Sequence, residues 1–489
     1  MNVLASLTDK EGCDRFLKSI EKHIDEIYAS DGTRTFLETK GISCKSISEL
    51  TGFAEMLGGR VKTLHPAIFA GILAKPEKEQ MEELKHHGYP AFDLILCNLY
   101  DFETYKDATD DEKAEHIDIG GVALIRAAAK NWKRVSVAKN NRDYDAISKD
   151  LSEQGTVSLE TRRRLAIDAF RYTSHYDEMI MSSLSGNEEN HNIVLGKGKV
   201  LRYGENPAQK GVLYENPEMG EMEVFHGKEM SYNNYVDASS AIDTALDFTE
   251  PFAVVMKHNT PCGAAIGKTL GEALEKAIEA DRESAFGSVI CLNGVADAEA
   301  VKPIGKLFVE ILIARDFTDD AVEILSKKKN LRLIKYKGTG PKKNFRTIFN
   351  GILEQDRMDT NIGELKVINR GDVEFERKEI EFAWKVVAHC RSNSIVLTKD
   401  GVTVGIGSGQ TSRVEAVKIA CERAGTKAAG SLMASDAYFP FPDNVEVAAK
   451  NGIKGIVEPG GSIRDTEVIE ASKKANITLY FTGMRVFLH

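Results

Sequence analysis

The sequence is short of the residues that build several protein classes. Seven cysteines are scattered through 489 residues, at positions 13, 44, 97, 262, 291, 390 and 421, and none forms a CxxC pair. An odd, widely spaced set argues against a disulfide framework and a cysteine-rich zinc site, and it suits a reducing cytosol. No apolar run approaches the roughly 20 residues that span a bilayer. The N-terminal stretch MNVLASLTDKEG lacks the apolar centre of a signal peptide. A cytoplasmic protein without a membrane partner is therefore expected. Positive charge is in deficit, with 64 Lys and Arg against 74 Asp and Glu, a formal net charge of −10. A general nucleic-acid binder needs a basic face, so no nucleic-acid partner is expected. A small anionic substrate stays compatible, because one pocket can be basic on an acidic protein. Two phosphate motifs are also missing. There is no GxxxxGK[ST], and Gly405–Gln410 (GIGSGQ) does not match the dinucleotide GxGxxG, so NAD is not expected.

What is present is a long α/β pattern. Hydrophobic residues make up 42% and charged residues 28%, the profile of a globular chain, and the length suggests about three domain-sized units. Val3–Leu7 and Ile27–Ala29 read as strands. Each is followed by a small polar turn and a helix, the first helix opening at Thr8-Asp9-Lys10 and running to about His23. Strand, turn, helix, repeated, predicts a parallel sheet with ligands at the carboxyl ends of its strands. The two turns carry Thr8, Asp9, Lys10, Ser30, Asp31, Gly32 and Thr33. Hydroxyls and N–H groups at helix N-termini can cradle phosphate, although Thr8, Asp9 and Thr33 can equally be simple caps. Gly58–Gly71 (GGRVKTLHPAIFAG) concentrates Arg60, Lys62, Thr63 and His65 in one loop. Asp93–Tyr100 (DLILCNLY) is a buried strand ending at Asn98 and Tyr100. Ile117–Asn131 (IDIGGVALIRAAAKN) puts Asp118 and two glycines before a helix that carries Arg126 and Lys130 on one face.

Apolar periodicity fades between Ser182 and Lys199, which marks a domain boundary. Behind it, Val254–Gly267 (VVMKHNTPCGAAIG) is a β-branched strand that delivers Lys257 and His258 to a turn. A cation can stabilise an oxyanion, and an imidazole can move a proton near neutral pH. Phe308–Ala314 (FVEILIA) holds Glu310 in an apolar run, where an acid is costly without partners. Val386–Asn393 (VVAHCRSN) reads as a faint repeat of the Lys257 strand, with Ala388 at the lysine position. Ala434–Phe441 (ASDAYFPF) likewise reads as a repeat of Ser284–Gly287. Two related α/β halves would follow from such a repeat, which is too faint to establish them by itself.

Taken together, the stretches GGRVKTLHP, NLY, IDIGGVALIRAAAKN, LRYGENP, KHNTPCG, SAFG, FVEILIA, RSNS, GIGSGQTSR, SDAYFPFPD, GGSIRD and FTGMR resemble, in order and over nearly the whole chain, one family. It is the bifunctional purine-biosynthesis family of AICAR (phosphoribosylaminoimidazolecarboxamide) formyltransferase and IMP cyclohydrolase. The resemblance implies an α/β chain with a methylglyoxal-synthase-like, Rossmann-type parallel-sheet domain at 1–190. It implies two cytidine-deaminase-like α/β/α halves at 195–489, about 195–340 and 345–489, without the deaminase zinc and with no catalytic metal. It further implies formyl transfer from 10-formyltetrahydrofolate to the 5-amine of AICAR, giving FAICAR, then dehydrative closure of FAICAR to IMP, by a homodimer.

The resemblance also assigns residues. Lys62, Tyr100, Asp118 and Lys130 match the cyclohydrolase site, with Arg60 and Thr63 beside them. Ser6, Lys10, Ser30, Gly32 and Thr33 match its phosphate pocket. Lys257, His258 and Asn393 match the transferase catalytic positions. Arg202, Tyr203, Asn234, Phe286, Gly287, Glu310, Tyr438 and Arg485 match substrate-binding positions. The chain departs from the family at Ala208, where RYGxNPHQ has His, at Asp101 after NLY, at Ala388 before the SN motif and in the tail from Arg485 to His489. Ala208 and the tail concern the transferase half. Two other readings are therefore carried: a cyclohydrolase whose back domain is inactive or uses another formyl donor, and a nucleotide-sensing module.

Overall fold

A computed structural model describes residues 1–53, 61, 63–105, 108–185, 198–215 and 219–489. The chain forms two compact units, Met1–Leu195 and Gly196–His489.

The first unit is built on five parallel strands: β1 (Asn2–Ser6), β2 (Glu26–Ala29), β3 (Lys45–Ser46), β4 (Leu94–Cys97) and β5 (Ser136–Ala138). Their order is β3-β2-β1-β4-β5. β4 is buried along its whole length, because helices cover both faces of a parallel sheet and select continuous apolar runs. The chain winds one way from β1 to β3 and the other way from β4 to β5. The order thus reverses between β1 and β4, and a crevice opens at their carboxyl ends. The helix expected to open at Thr8 begins only at Cys13 and ends at Ser19. Gly12 causes the delay. It sits at φ 74°, and a Cβ there would lie 2.0 Å from Asn141 Oδ1. The residues from Leu7 to Gly12 therefore stay as an open turn over the crevice.

The second unit is a twelve-stranded mixed sheet. Its order across the sheet is Lys366–Asn369, Thr478–Phe481, Gly455–Glu458, Leu432–Ser435, Ile395–Lys399, Val402–Gly407, Thr260–Ile266, Phe252–Lys257, Ser288–Leu292, Val309–Ala314, Arg332–Lys337, Glu221–His226. Read outward from the centre, each half has an antiparallel hairpin, three parallel strands and an antiparallel edge strand. These are the two deaminase-like halves of one continuous sheet.

The register corrects the expected repeat. Met256 pairs with Val289 and Thr398 with Leu432, so Lys257 corresponds to Lys399 and not to Ala388. Val386–Ala388 instead ends the Arg377–Ala388 helix. A short apolar run such as VVA does not by itself tell strand from buried helix, and here the upstream EIEFAW pattern makes it helical. The Ala434–Phe441 segment follows its strand, whereas Ser284–Gly287 precedes one, so that pairing fails as well.

Candidate active sites

In the first unit, three strand ends are tied side by side. Thr33 is fully buried, and its hydroxyl accepts from Leu7 N at 2.9 Å and from Ser30 Oγ at 3.1 Å. It donates to Leu7 O at 3.2 Å. The Thr33 hydroxyl, expected on phosphate, thus pins the end of β1 to the end of β2. Asn98 does the same between β4 and β1. Its Oδ1 accepts from Thr8 N at 2.7 Å and Asp9 N at 3.2 Å, and its Nδ2 donates to Asp9 O at 2.7 Å. Lys10 Nζ donates to Thr8 O at 3.0 Å. Ser6 is half-buried and Ser30 buried, while Gly32 is exposed with open space where a side chain would be.

Asp118 stands beside this row. Its Oδ1 accepts from Gly121 N at 2.7 Å, at the start of the Gly120–Lys130 helix. Two glycines are needed there. A Cβ on Gly120 would lie 2.6 Å from Thr63 Oγ1, and one on Gly121 would lie 2.5 Å from Asp118 Oδ2. Burial pushes the Asp118 carboxyl above its usual range, opposed by the Gly121 hydrogen bond. Tyr100 is 49% exposed at the end of the β4 segment, one residue from Leu99, whose side chain abuts Gly121. From β2 to β4 the row spans roughly 10 Å, about the length of a ribose phosphate with its base.

Lys130 is not part of this gathering. It ends the Gly120–Lys130 helix, and ten residues of helix rise about 15 Å. That carries it toward the opposite edge of the sheet, next to Asn131, whose side chain bonds Ile72 O and Ala74 O. The resemblance grouped Lys130 with Asp118, but the rise of the helix separates them. Arg60 and Lys62 lie outside the described residues.

Two residues were missed. Tyr172 and Tyr176 lie one turn apart on the Leu159–Ser185 helix. The Tyr176 hydroxyl accepts from Asp118 N at 2.8 Å and donates to His116 O at 3.2 Å. The Tyr172 hydroxyl accepts from Leu99 N at 3.1 Å. One helix therefore sets the distance between the Tyr100 segment and the Asp118 segment. The signal was available: a tyrosine on a core-facing stripe with Leu165 and Ala169 must find a partner for its hydroxyl.

In the second unit, Lys257 ends its strand and His258-Asn259 forms the two-residue turn to Thr260. Both turn residues are left-handed, with φ 52° and 58°. The twin turn in the other half is Asp400-Gly401, with φ 53° and 71°. Asp-Gly is the relaxed sequence for such a turn, whereas His-Asn is not. The equivalence extends to the lysines. Lys257 Nζ donates to Phe286 O at 2.9 Å, and Lys399 Nζ to Ala429 O at 3.4 Å. Each of those carbonyls precedes a left-handed glycine, Gly287 or Gly430. The same scaffold thus presents a lysine at both edges, and His258 at one alone.

Around Lys257 and His258 the structure gathers most of the expected binding residues. Asn234 Nδ2 donates to Glu310 Oε2 at 3.1 Å, and Arg332 lies 3.9 Å from the same oxygen. Arg202, exposed and stacked over the Tyr203 ring at 5.4 Å, and Tyr203 itself lie within electrostatic range of Arg332. Phe286 is 60% exposed and packs on Phe308. Arg332 was missed. It is a buried cation in the strand RLIKYK, held by Lys228 O and Glu229 O.

Asn393, Tyr438 and Arg485 form a second cluster, around a cavity of about 390 Å³ also lined by Arg413, Phe441 and Asn444. Asn393 Oδ1 accepts from Arg413 at 2.6 Å, and its Nδ2 donates to Gln410 O at 2.9 Å. Arg413 also bonds Ser435 Oγ at 2.9 Å and pairs with the fully buried Asp436. The tail is tethered here, since Val486 N donates to Asp436 O at 3.0 Å. The strand directions put Asn393 and Lys257 at the same sheet edge. Three strand spacings separate them, about 14 Å, so one chain does not bring them onto one atom. Ala208 is exposed in a turn closed by Gln209 Oε1, which accepts from Asn206 N at 2.8 Å.

Beneath Tyr438–Phe441, Glu458 is fully buried and accepts from Phe439 N at 2.6 Å. Burial pushes its carboxyl up to about 8. The native state therefore holds a proton that the unfolded chain releases near pH 4.5. Its contribution is complete at low pH and is lost as pH rises toward 8, at about 1.4 kcal/mol per pH unit. Glu458→Gln keeps the acceptor and removes the titration. The variant's melting temperature is expected to gain on the parent steadily from pH 5 to 8 and to level off above. A constant difference in parallel thermal melts would show that Glu458 is ionised in the fold.

A switch-point crevice holding a half-buried acid and a separate lysine–histidine turn on a duplicated sheet are the marks of a two-site α/β enzyme. Family models agree. Residues 128–423 match "AICARFT/IMPCHase bienzyme" and residues 14–123 match "MGS-like domain". Curated relatives named bifunctional purine biosynthesis protein PurH match along their length. That of Persephonella marina is 44% identical over 510 residues, covering 99% of each chain. Those of Halalkalibacterium halodurans and Bacillus subtilis are 44% and 40% identical, each over 506 residues and 99% of each chain. The chain belongs to the AICARFT/IMPCHase bienzyme family. It is a bifunctional enzyme, an AICAR formyltransferase and IMP cyclohydrolase, and catalyses the last two steps of purine-nucleotide synthesis to IMP.

Proposed function

We propose that formyl transfer takes place at the Lys257–His258 edge of the second unit with 10-formyltetrahydrofolate as donor. Ring closure then takes place in the Asp118 crevice of the first unit, and the enzyme works as a homodimer in the cytoplasm. The observation that carries this reading is the His258-Asn259 turn. It puts an imidazole beside a lysine in a backbone conformation that its twin fills with Asp-Gly. A conformation this costly persists where chemistry needs it.

In transfer, the 5-amine of AICAR is a poor nucleophile, because its lone pair is conjugated into the imidazole carboxamide. His258 takes its proton as the nitrogen attacks the formyl carbon. The Lys257 ammonium stabilises the tetrahedral oxyanion, and the folate nitrogen then leaves with a proton. Arg202 and Arg485 suit the nucleotide phosphate, and Tyr203, Asn234, Phe286, Gly287, Glu310 and Tyr438 line the nucleotide. Asn393, held at both ends, offers neutral hydrogen bonds to the formyl oxygen or the carboxamide. The 14 Å between the Lys257 and Asn393 clusters favours a second copy of the chain completing each site. In ring closure, Asp118 polarises the carboxamide nitrogen. Tyr100 and Lys62 handle the formyl oxygen as water departs, and Arg60 and Thr63 bind the substrate. The turns at Ser6–Lys10 and Ser30–Thr33 take the phosphate. Seven free cysteines fit a reducing compartment.

Paired absorbance assays test the reading. One supplies FAICAR alone and follows IMP; the other supplies AICAR with 10-formyltetrahydrofolate and follows tetrahydrofolate. Activity in both is expected. IMP formation without folate turnover would show that Ala208 and the altered tail have cost the usual donor, with formate plus ATP the next donor to supply.

A further inference from the structure

The duplicated halves share one more feature. On the Tyr232–Ala245 helix, Asp237 Oδ1 accepts from Asn259 N at 2.7 Å. On the Arg377–Ala388 helix, Glu379 Oε2 accepts from Gly401 N at 2.7 Å. In each half a helix-borne acid grips the second residue of the left-handed turn. Both residues are half-buried, and burial pushes both carboxyls above their usual range, so each costs stability that its hydrogen bond only partly offsets. The two grips hold different turns. Asp400-Gly401 adopts positive φ readily and needs little help. In His258-Asn259 the first position is a histidine with a ring on Cβ and the second lacks the freedom of glycine, so the same shape is strained, and without a hold the turn would relax and carry His258 away. Asp237 also lies within electrostatic range of His258 and of Glu310, inside the cluster that receives the nucleotide.

We infer that Asp237 is a positioning residue for formyl transfer: by clamping the Asn259 amide it keeps His258 in the left-handed conformation in which its imidazole meets the substrate amine. Asp237 touches neither substrate nor reacting atoms in this role and acts through His258. The inference rests on His258 being the proton acceptor. Glu379 makes the matching contact in the half that lacks His258, and it serves as the built-in structural control.

The test uses the full-length enzyme and four variants: Asp237→Ala, Asp237→Asn, Glu379→Ala and His258→Ala. Transferase kcat and KM, cyclohydrolase rate and melting temperature are measured for each. Asp237→Ala is expected to lower transferase kcat about 10²-fold, the size of effect that an ångström of misplacement produces. KM and cyclohydrolase rate should stay within about 3-fold. Asp237→Asn can accept the same hydrogen bond and should restore most of kcat. Glu379→Ala should lose melting temperature and keep transferase kcat. Equal kcat losses in Asp237→Ala and Glu379→Ala would overturn the inference, because both would then be general structural damage. So would an Asp237→Asn variant as slow as Asp237→Ala, because the hold alone would then not suffice. If His258→Ala transfers formyl at the parental rate, the reading of His258 itself fails. If His258→Ala is inactive while Asp237→Ala is unimpaired, only the role of Asp237 fails.

Discussion

Lys257→Ala is expected to reduce formyl transfer by about 10²–10³-fold in kcat, the usual cost of losing one oxyanion-stabilising donor, while leaving the conversion of FAICAR to IMP at the parental rate. The separation follows from the architecture, since Lys257 belongs to the Gly196–His489 unit and the Asp118 crevice to the other. Lys257 also holds Phe286 O at 2.9 Å, so part of any loss could come from freeing the Phe286-Gly287 segment. The duplication supplies the control. Lys399 makes the corresponding contact with Ala429 O at the edge without a histidine. Lys399→Ala should therefore cost transfer little. Side-by-side kinetics of the two variants isolate the chemical share of Lys257. Loss of both activities in Lys257→Ala would rule out two independent sites, and equal transferase losses in both lysine variants would assign Lys257 a packing role only.

The second large effect is expected at Asp118. Asp118→Asn should cut cyclohydrolase kcat by about 10²–10³-fold, within the range seen for general acid–base groups, and spare formyl transfer. FAICAR should then accumulate when AICAR and 10-formyltetrahydrofolate are supplied together. The same variant should be more stable at neutral pH. Burial raises the Asp118 carboxyl in the fold, so the native state binds a proton more tightly than the unfolded chain. The contribution of this group is fully present below about pH 4 and is lost as pH rises through its folded value. Above that value the half-buried charge opposes folding. Asparagine still accepts from Gly121 N and carries no charge. A higher melting temperature at pH 7, with the gain fading near pH 4, is expected from thermal melts at several pH values. An unchanged melting temperature at pH 7 would mean that water or substrate groups already compensate the charge.

What the sequence by itself determined was the kind of chain and its site-bearing segments. The lack of basic excess, cysteine pairs and long apolar runs narrowed the classes. Buried β-branched runs ending in polar turns marked the strands whose ends carry Asn98, Tyr100, Lys257 and Glu310. These are local properties, and periodicity and turn chemistry report them directly. The family motifs added the reactions and the residues to inspect.

Only the tertiary structure decided which of those residues meet. Lys130 is twelve positions from Asp118, and a helix spaces the two apart. Thr33 spends its hydroxyl on Leu7, just past the end of β1 and 26 positions away. The two halves of the second unit were legible only faintly, through the wrong pairing. Their likeness lies in strand register and in φ values, which many different side chains satisfy. Tyr172, Tyr176, Asp237, Arg332 and Arg413 act on backbone or side-chain groups at least 20 residues away. Local pattern carries no trace of such contacts, because the partner comes within reach only after the sheets have formed. For the same reason, nothing in the local pattern told that Asn393 and Lys257 would share one sheet edge, three strand spacings apart.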